Sequence, residues 1–511
     1  MATSTATLPE ERVANRWIIL IAGIVGMIAV ANYQYGWTLF VRPLQRKFNV
    51  EQALIQVTFT IFVLLETWLV PFEGWLVDKF GPRLLVIFGG ICAGLGWIGS
   101  GKAESLTALY LSYAVAGVGA GIVYGTAVGT ALKWFPDHRG LAAGLTAAGF
   151  GAGSAFTVAP IANMISAQGY EAAFIKWGII QGVVIIISAM FLKSPPQDWL
   201  PRTWRIKGSE AVRTRQIAVS FTSGEMASTP HFWLMYLMMG LVATGGLMAV
   251  AQLSPMASSY GVAHIPVKFL WMTVPALTLA LSADRLMNGI CRPMWGWISD
   301  HIGRENTMGL AFGLEGLAKI GLIALAARPL AFVIMTAFTF FGWGEIFSLF
   351  PALSGDFFGR KHATQNYGFL YTAKGSASVF IPIGSALAAG RAFDFRADIL
   401  LLIGGALAFY VLFLAPSVLK IELSKAARWT LSAISIAIVC FALLLTVLHT
   451  LPTGPFKAHW TVPNIGWAGV FGISVVFDFI AAGLAVFVLK RMKAPVKSEA
   501  TIIAGATAPA A

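Results

Sequence analysis

The chain has 511 residues, 57% of them hydrophobic and only 12% charged, with a mean hydropathy of +0.74. A soluble globular protein carries about 25% charged residues. A large soluble domain is therefore excluded and an all-α polytopic membrane protein is expected. The net charge of +13 sits mainly in loops and tails, so it speaks to membrane topology rather than to nucleic acid.

The N-terminal stretch MATSTATLPEERVANR is polar and contains acids. It lacks the apolar core and cleavage site of a signal peptide, so the first apolar segment is expected to be retained as a span. Spans are predicted near 17–40, 52–75, 84–101, 105–132, 140–167 and 171–193. A polar, proline-containing stretch from 194 to 228 follows. Further spans are predicted near 230–258, 269–297, 307–327, 330–352, 363–390, 397–418, 429–451 and 464–489, fourteen in all. Lys and Arg concentrate in the segments that are cytoplasmic if both termini are inside. The first outer loop, with Arg42, Arg46 and Lys47, is the clear exception.

An internal repeat organises the first twelve spans. Gly74, Asp78 and Gly81 in GWLVDKFGPR recur as Gly296, Asp300 and Gly303 in GWISDHIGR, each at an offset of 222. Both copies follow the second helix of a six-helix half, and Arg83 and Arg304 close them. The glycines permit a tight turn, and each aspartate can accept hydrogen bonds from the amides of a neighbouring helix N-terminus. The expected domains are a six-helix bundle at 1–193, a cytoplasmic linker at 194–228 and a second six-helix bundle at 229–420. Two additional transmembrane helices at 421–497 and a disordered tail at 498–511 complete the expectation. Parallel repeats of this kind place a substrate site between the halves, near the midplane.

Ser282 to Arg304 carries the strongest chemical signal. Arg285 and Arg292 lie seven residues apart in an apolar segment, so they point the same way, about 10 Å apart along the axis. An arginine at mid-bilayer depth costs about 3 kcal/mol even on lenient insertion scales. Such a residue faces a water-filled cavity, a counter-charge or an anionic ligand. Lys374 on the eleventh span repeats the theme. Depth alone does not choose between Arg285 and Arg292 as its partner.

The two loop signatures resemble those of the major facilitator superfamily. Closer matches, YQYGWTLF at 33–40, KWFPDHRGLAAG at 133–144, NGICRPMWGWISDHIGR at 288–304 and YGFLYTAKG at 367–375, resemble the oxalate/formate antiporter family. The resemblance covers roughly residues 15–420 and implies two six-helix bundles and carboxylate exchange. An arginine on helix 8 and a lysine on helix 11 are held to bind substrate in that family, which carries those roles onto Arg292 and Lys374. Arg285 is read as a supporting charge. In the related proton-coupled monocarboxylate transporters an acid precedes the matching arginine by four residues. Asn288 stands there in this chain and takes up no proton, which favours anion exchange over proton symport.

Tyr35 on helix 1, Tyr124 on helix 4, Trp343 on helix 10 and Tyr371 on helix 11 are expected to complete the site around a small flat anion. Tyr33 and Trp37 are further candidates on helix 1. Tyr371 precedes Lys374 by three and shares its face. Elsewhere, Glu315 and Lys319 are expected to pair with each other. Glu66 and Glu73 are read as proton carriers or as counter-ions to Arg285, and Glu345 and Asp478 stay open. The glycines at 140, 144, 149, 151 and 153 form a small-residue stripe for close helix packing.

No catalytic triad, Walker-type loop or metal-ligand spacing is present, and Cys92, Cys291 and Cys440 lie in apolar runs. The chain is expected to be neither an enzyme nor a cofactor or metal protein. The expected partners are a small organic anion and the lipid bilayer, without nucleic acid. A monomer in a bacterial-type plasma (inner) membrane, with both termini cytoplasmic, is the expected setting. A proton-coupled symporter of a monocarboxylate or another small organic anion is the alternative.

Overall fold

The structure is a computed structural model. It describes residues 15–135, 139–196, 220–269, 272–359, 362–389, 392–393, 430, 460–461, 464–493 and 495. The elements of the first half are α1 (Arg16–Tyr35), α2 (Thr38–Phe48), α3 (Gln52–Trp68), α4 (Val70–Phe80), α5 (Pro82–Gly101), α6 (Leu106–Trp134), α7 (Arg139–Ala152), α8 (Val158–Gln168) and α9 (Tyr170–Ala189). A one-turn α10 (Ser223–Ala227) precedes the second half. That half comprises α11 (Pro230–Ser259), α12 (Ala276–Ile302), α13 (Arg304–Leu325), α14 (Pro329–Trp343), α15 (Ile346–Phe358), α16 (Ala363–Ser378) and α17 (Phe380–Ala389). The last described helix is α18 (Gly466–Gly483), continued by a π turn and a 3-10 turn to Arg491.

Among the described residues, nine helical segments are long and apolar enough to cross a membrane. The α7–α8, α12 and α16–α17 spans fall short because they are broken or carry charge. Several spans break near their middle. α1 gives way to α2 at Gly36, α3 to α4 at Leu69 beside Pro71, and α14 to α15 at Gly344–Glu345. Such breaks are tolerated where they are buried in protein or line a cavity. The residues flanking them, Tyr35, Trp68 and Trp343, are buried.

The two halves pack alike. In the first, α5 lies against α6 and α9, and α1 also touches α9. In the second, α13 lies against α14 and α18, and α11 also touches α18. The segment expected at 464–489 as one of two additional transmembrane helices thus packs against α11, α13 and α17 of the second half. A buried ion pair explains the difference: Lys319 Nζ on α13 meets Glu315 at 2.6 Å and Asp478 on α18 at 2.7 Å. Three charged side chains at 0% exposure are tolerable only when paired, and the pairing requires α18 against α13. The Glu315–Lys319 expectation therefore holds, with Asp478 added. The runs expected at 397–418 and, apart from residue 430, 429–451, and the tail at 498–511, lie outside the described residues. The chain on either side of them meets in a short antiparallel pairing, Ala392 with Thr461 and Phe393 with Trp460.

The eighth span differs from its expected start at 269. Residues 266–269 (β1) and 272–275 (β2) form an antiparallel hairpin, and helix begins at Ala276. Pro266 and Pro275 cannot donate ladder bonds and sit at the ends of this hairpin, while Val267, Thr273 and Val274 suit extended backbone. Arg42, Arg46 and Lys47, expected in a loop, lie on α2. Lys47 pairs with Glu104 at 3.3 Å.

The repeated turns share one geometry. Gly81 has φ 78° and ψ 159°; Gly303 has φ 90° and ψ 153°. A side chain at these φ values is strained, so glycine is required in both. Asp300 pairs with Arg304 at 2.7 Å instead of capping a neighbouring helix, and Arg304 also reaches Asp356 of α15 at 3.3 Å. Arg83 is exposed, Gly74 lies on α4, and the side chain of Asp78 lies outside the described residues.

The halves close on each other at both ends. At the α2–α3 end, Ser254 N–H donates to Thr38 Oγ1 at 2.9 Å, and Gln56 and Gln52 both donate to Gln252 Oε1. Gln252 donates onward to Ile381 O and Ser385. At the other end Trp68 Nε1 donates to Thr372 O at 3.2 Å, and Val70 and Pro71 abut Gly368.

Candidate functional site

Between these two closures lies a cage of charged and aromatic side chains. α12 contributes Arg285, Asn288 and Arg292, spaced three and four apart and therefore on one helical face. α16 contributes Tyr371 and Lys374. α1 contributes Gln34 and Tyr35 just before its break, and α3 contributes Glu66 just before its own. Every one of these residues is 0% exposed.

Arg292 donates through Nε to Asn288 O at 3.1 Å, through one terminal nitrogen to Ala147 O at 2.7 Å, and through the other to the Tyr35 hydroxyl and Asn288 Oδ1, both at 3.2 Å. Asn288 Nδ2 donates to the same Tyr35 hydroxyl at 3.0 Å. All of these acceptors are neutral. α7 comes close enough to supply Ala147 because Gly151 lies against Asn288: a Cβ there would stand 2.8 Å from Asn288 O. The small-residue stripe thus sets the α7–α12 distance.

Lys374 is held differently. Its Nζ donates to Gln34 Oε1 at 2.7 Å and the Tyr371 hydroxyl at 3.0 Å, and meets both Glu66 oxygens at 3.0 and 3.1 Å. Glu66 was expected to carry a proton or neutralise Arg285; its counter-ion is Lys374. Gln34 Nε2 lacks a hydrogen-bond partner among the described residues, so a buried donor remains open in the cage.

Aromatic rings wall the two cations. Phe347 lies 4.2 Å from Arg292 Cζ and 5.6 Å from Lys374 Nζ, so one ring touches both charges. Phe150 is 5.7 Å from Lys374 and packs on Tyr35 and Tyr124, each at 5.3 Å. Tyr124 stacks on Tyr371 at 5.2 Å with planes 5° apart. Cation–π contacts of this kind contribute about 2 kcal/mol when desolvated. Tyr35, Tyr124, Tyr371 and Asn288 are thus brought together as expected.

Three expected members lie elsewhere. Trp343 packs edge-on behind Phe347 at 5.2 Å and backs the wall rather than lining it; its ring lies against Gly246 of α11. Tyr33 packs on Trp97, and Trp37 donates to Gln56. Arg285 is clamped between the Tyr35 ring at 4.5 Å and the Phe340 ring at 4.4 Å. No hydrogen bond to its three nitrogens and no ion pair to Asp284 exists among the described residues. Gln34, Phe150 and Phe347 were not foreseen. Only the charge of Glu66 in an apolar helix marked its place in advance.

The family model of the Major Facilitator Superfamily matches residues 19–382. The chain belongs to that superfamily. The oxalate:formate antiporter of Oxalobacter formigenes is 38% identical over 409 residues, covering 79% of this chain and 92% of that protein. This similarity places the chain in the oxalate/formate antiporter family of the superfamily. Monocarboxylate transporter 12 of Xenopus laevis is 23% identical, covering 59% of this chain and 66% of its own length. The crystal structure of a bacterial homologue of the human lysosomal transporter Spinster, inward-facing and unoccupied, has the same fold. It matches with a TM-score of 0.57 at 14% identity, covering 94% of this chain and 99% of that one. This superfamily member is a multi-pass membrane transporter.

Proposed function

We propose that the protein exchanges small carboxylates across the membrane by alternating access, with Arg292 and Lys374 holding the anion. The observation that carries this reading is the pair of buried cations, one from each of two helices, sharing the Phe347 ring inside an enclosed cage. Arg292 offers a planar fork and Lys374 a compact charge, a combination that suits a small dianion bridging both. Arg285 adds positive potential through Tyr35, whose hydroxyl contacts Arg292. Tyr35, Tyr124, Tyr371, Phe150 and Phe347 limit the length of the anion, with Trp343 behind them. Similarity to the oxalate:formate antiporter supports oxalate-like and formate-like substrates.

A second reading is proton-coupled symport of a monocarboxylate or similar anion, favoured by the Glu66 carboxylate on Lys374. Counterflow in proteoliposomes separates the two. Exchange is expected to continue without a proton gradient and to stop when no anion is inside. Net uptake driven by a proton gradient into anion-free vesicles would instead establish symport.

The turns at Gly74, Asp78, Gly81 and Arg83 and at Gly296, Asp300, Gly303 and Arg304 are proposed to hold the cytoplasmic closure, through contacts such as Arg304 to Asp356. In this arrangement α18 completes the second bundle. Both termini and the 194–228 linker are cytoplasmic, in a bacterial-type inner membrane, and the transporter works as a monomer. Cysteines placed in the linker are expected to react only with reagents that reach the cytoplasmic face. Labelling by an impermeant reagent from the outside would overturn this topology.

A further inference from the structure

The three cage cations are provided for unequally. Arg292 reaches the oxygens of Asn288, Ala147 and Tyr35. Lys374 reaches Glu66, Gln34 and Tyr371. Arg285 is 0% exposed, yet its Nε and both terminal nitrogens lack a hydrogen-bond partner among the described residues. A buried donor without an acceptor is costly, and a guanidinium carries five N–H donors in one plane. The rings of Tyr35 and Phe340, at 4.5 and 4.4 Å from Cζ, hold this guanidinium by stacking. Stacked rings cover the faces of the plane and leave its edge, where the donors point. That edge is the part of an arginine that matches a carboxylate with two parallel hydrogen bonds.

We propose that Arg285 is a second anion station, which binds one carboxylate group on the path between the Arg292–Lys374 pair and the α2–α3 end of the protein. α12 begins beside the β1–β2 hairpin, so Arg285 lies two helical turns, about 10 Å, nearer that end than Arg292. It is the end where Thr38, Gln52 and Gln56 close on Ser254 and Gln252. An anion moving between the pair and that end thus passes Arg285. Tyr35 joins the two stations: its ring stacks on Arg285, and its hydroxyl accepts from Arg292 at 3.2 Å. This inference rests on the exchange reading above and adds a step to it. An incoming anion is held at Arg285 while the outgoing one still occupies the pair, and repulsion between the two assists release.

The neighbouring acids do not take the place of the anion. Asp284 adjoins Arg285 in the chain, but adjacent helical residues point about 100° apart. Its oxygens have no hydrogen-bond partner among the described residues, so neither meets the guanidinium. Its charge still bears on Arg285, which makes this station the weaker of the two. Glu66 is held by Lys374 at 3.0 and 3.1 Å. Glu345 lies past the break after α14 and also lacks a hydrogen-bond partner among the described residues. The donors of Arg285 are thus left for an acceptor that comes and goes.

The test is equilibrium dialysis of radiolabelled formate against the purified protein in detergent. The wild-type protein is expected to saturate at two formates per chain, with unequal affinities, and Arg285→Gln at one. Fewer than two formates on the wild-type protein, or two retained by Arg285→Gln, overturns the proposal. Should Arg285→Gln not fold, Phe340→Leu decides, because it removes one stacking ring and leaves Arg292 and Lys374 in place. It is expected to weaken the lower-affinity site by about tenfold and the other far less. An equal shift at both sites, or none, overturns the proposal. Counterflow in proteoliposomes separates this inference from the reading beneath it. Counterflow by a protein that binds one formate sinks the second station alone; a protein that neither binds formate nor shows counterflow sinks the exchange reading, and this inference with it.

Discussion

Replacing Lys374 or Arg292 by glutamine is expected to abolish carboxylate exchange. Losing either cation leaves a substrate carboxylate unpaired in a dry cage, at about 2–5 kcal/mol, which is at least tenfold in affinity. The two variants differ in what they do to the protein itself. Lys374→Gln strands Glu66, whose oxygens meet Lys374 at 3.0 and 3.1 Å, and an unpaired buried carboxylate destabilises by about 3–5 kcal/mol. Adding Glu66→Gln is therefore expected to restore thermal stability in detergent without restoring exchange. Arg292→Gln removes the 2.7 Å bond to Ala147 O that ties α12 to α7, so it loosens that contact as well. Should Arg292→Gln exchange normally while Arg285→Gln does not, the substrate assignment passes to Arg285, whose nitrogens are bare among the described residues.

Lys319→Met is expected to be among the most destabilising single changes outside the cage. It leaves Glu315 and Asp478 buried side by side without their shared cation. Breaking a buried pair in this way costs about 3–5 kcal/mol, and like-charge repulsion adds to it unless both acids take up protons. The joint change Lys319→Met, Glu315→Leu and Asp478→Leu replaces the cluster by apolar groups and is expected to recover most of the loss. Thermal unfolding of the detergent-solubilised protein measures both variants. If Lys319→Met unfolds at the wild-type temperature, the ion cluster does not anchor α18 to α13.

Apolar runs and charge content made a polytopic helical membrane protein unavoidable from the sequence, because only helices satisfy the backbone within a bilayer apart from closed barrels. The repeated turns were readable because their constraint is local: a glycine at φ 78° in one half and 90° in the other answers to its own backbone. Shared helical faces were readable too, since spacing along one helix places Arg285, Asn288 and Arg292 together and Tyr371 beside Lys374. Tertiary structure alone decided the rest, and in each case the deciding contact joins segments far apart in the chain. Glu66 pairs with Lys374 from 308 residues away, and Asp478 with Lys319 from 159. A buried charge announces in sequence that it needs a partner, but not which one, because any opposite charge on any helix satisfies the same electrostatics. Phe150 and Phe347 were invisible for a related reason: among 36 phenylalanines, only packing distinguishes a ring that touches two cations from one that touches lipid. The place of the last helix turned on the same point, since hydropathy measures a span's length and only its buried aspartate shows which neighbour it must have.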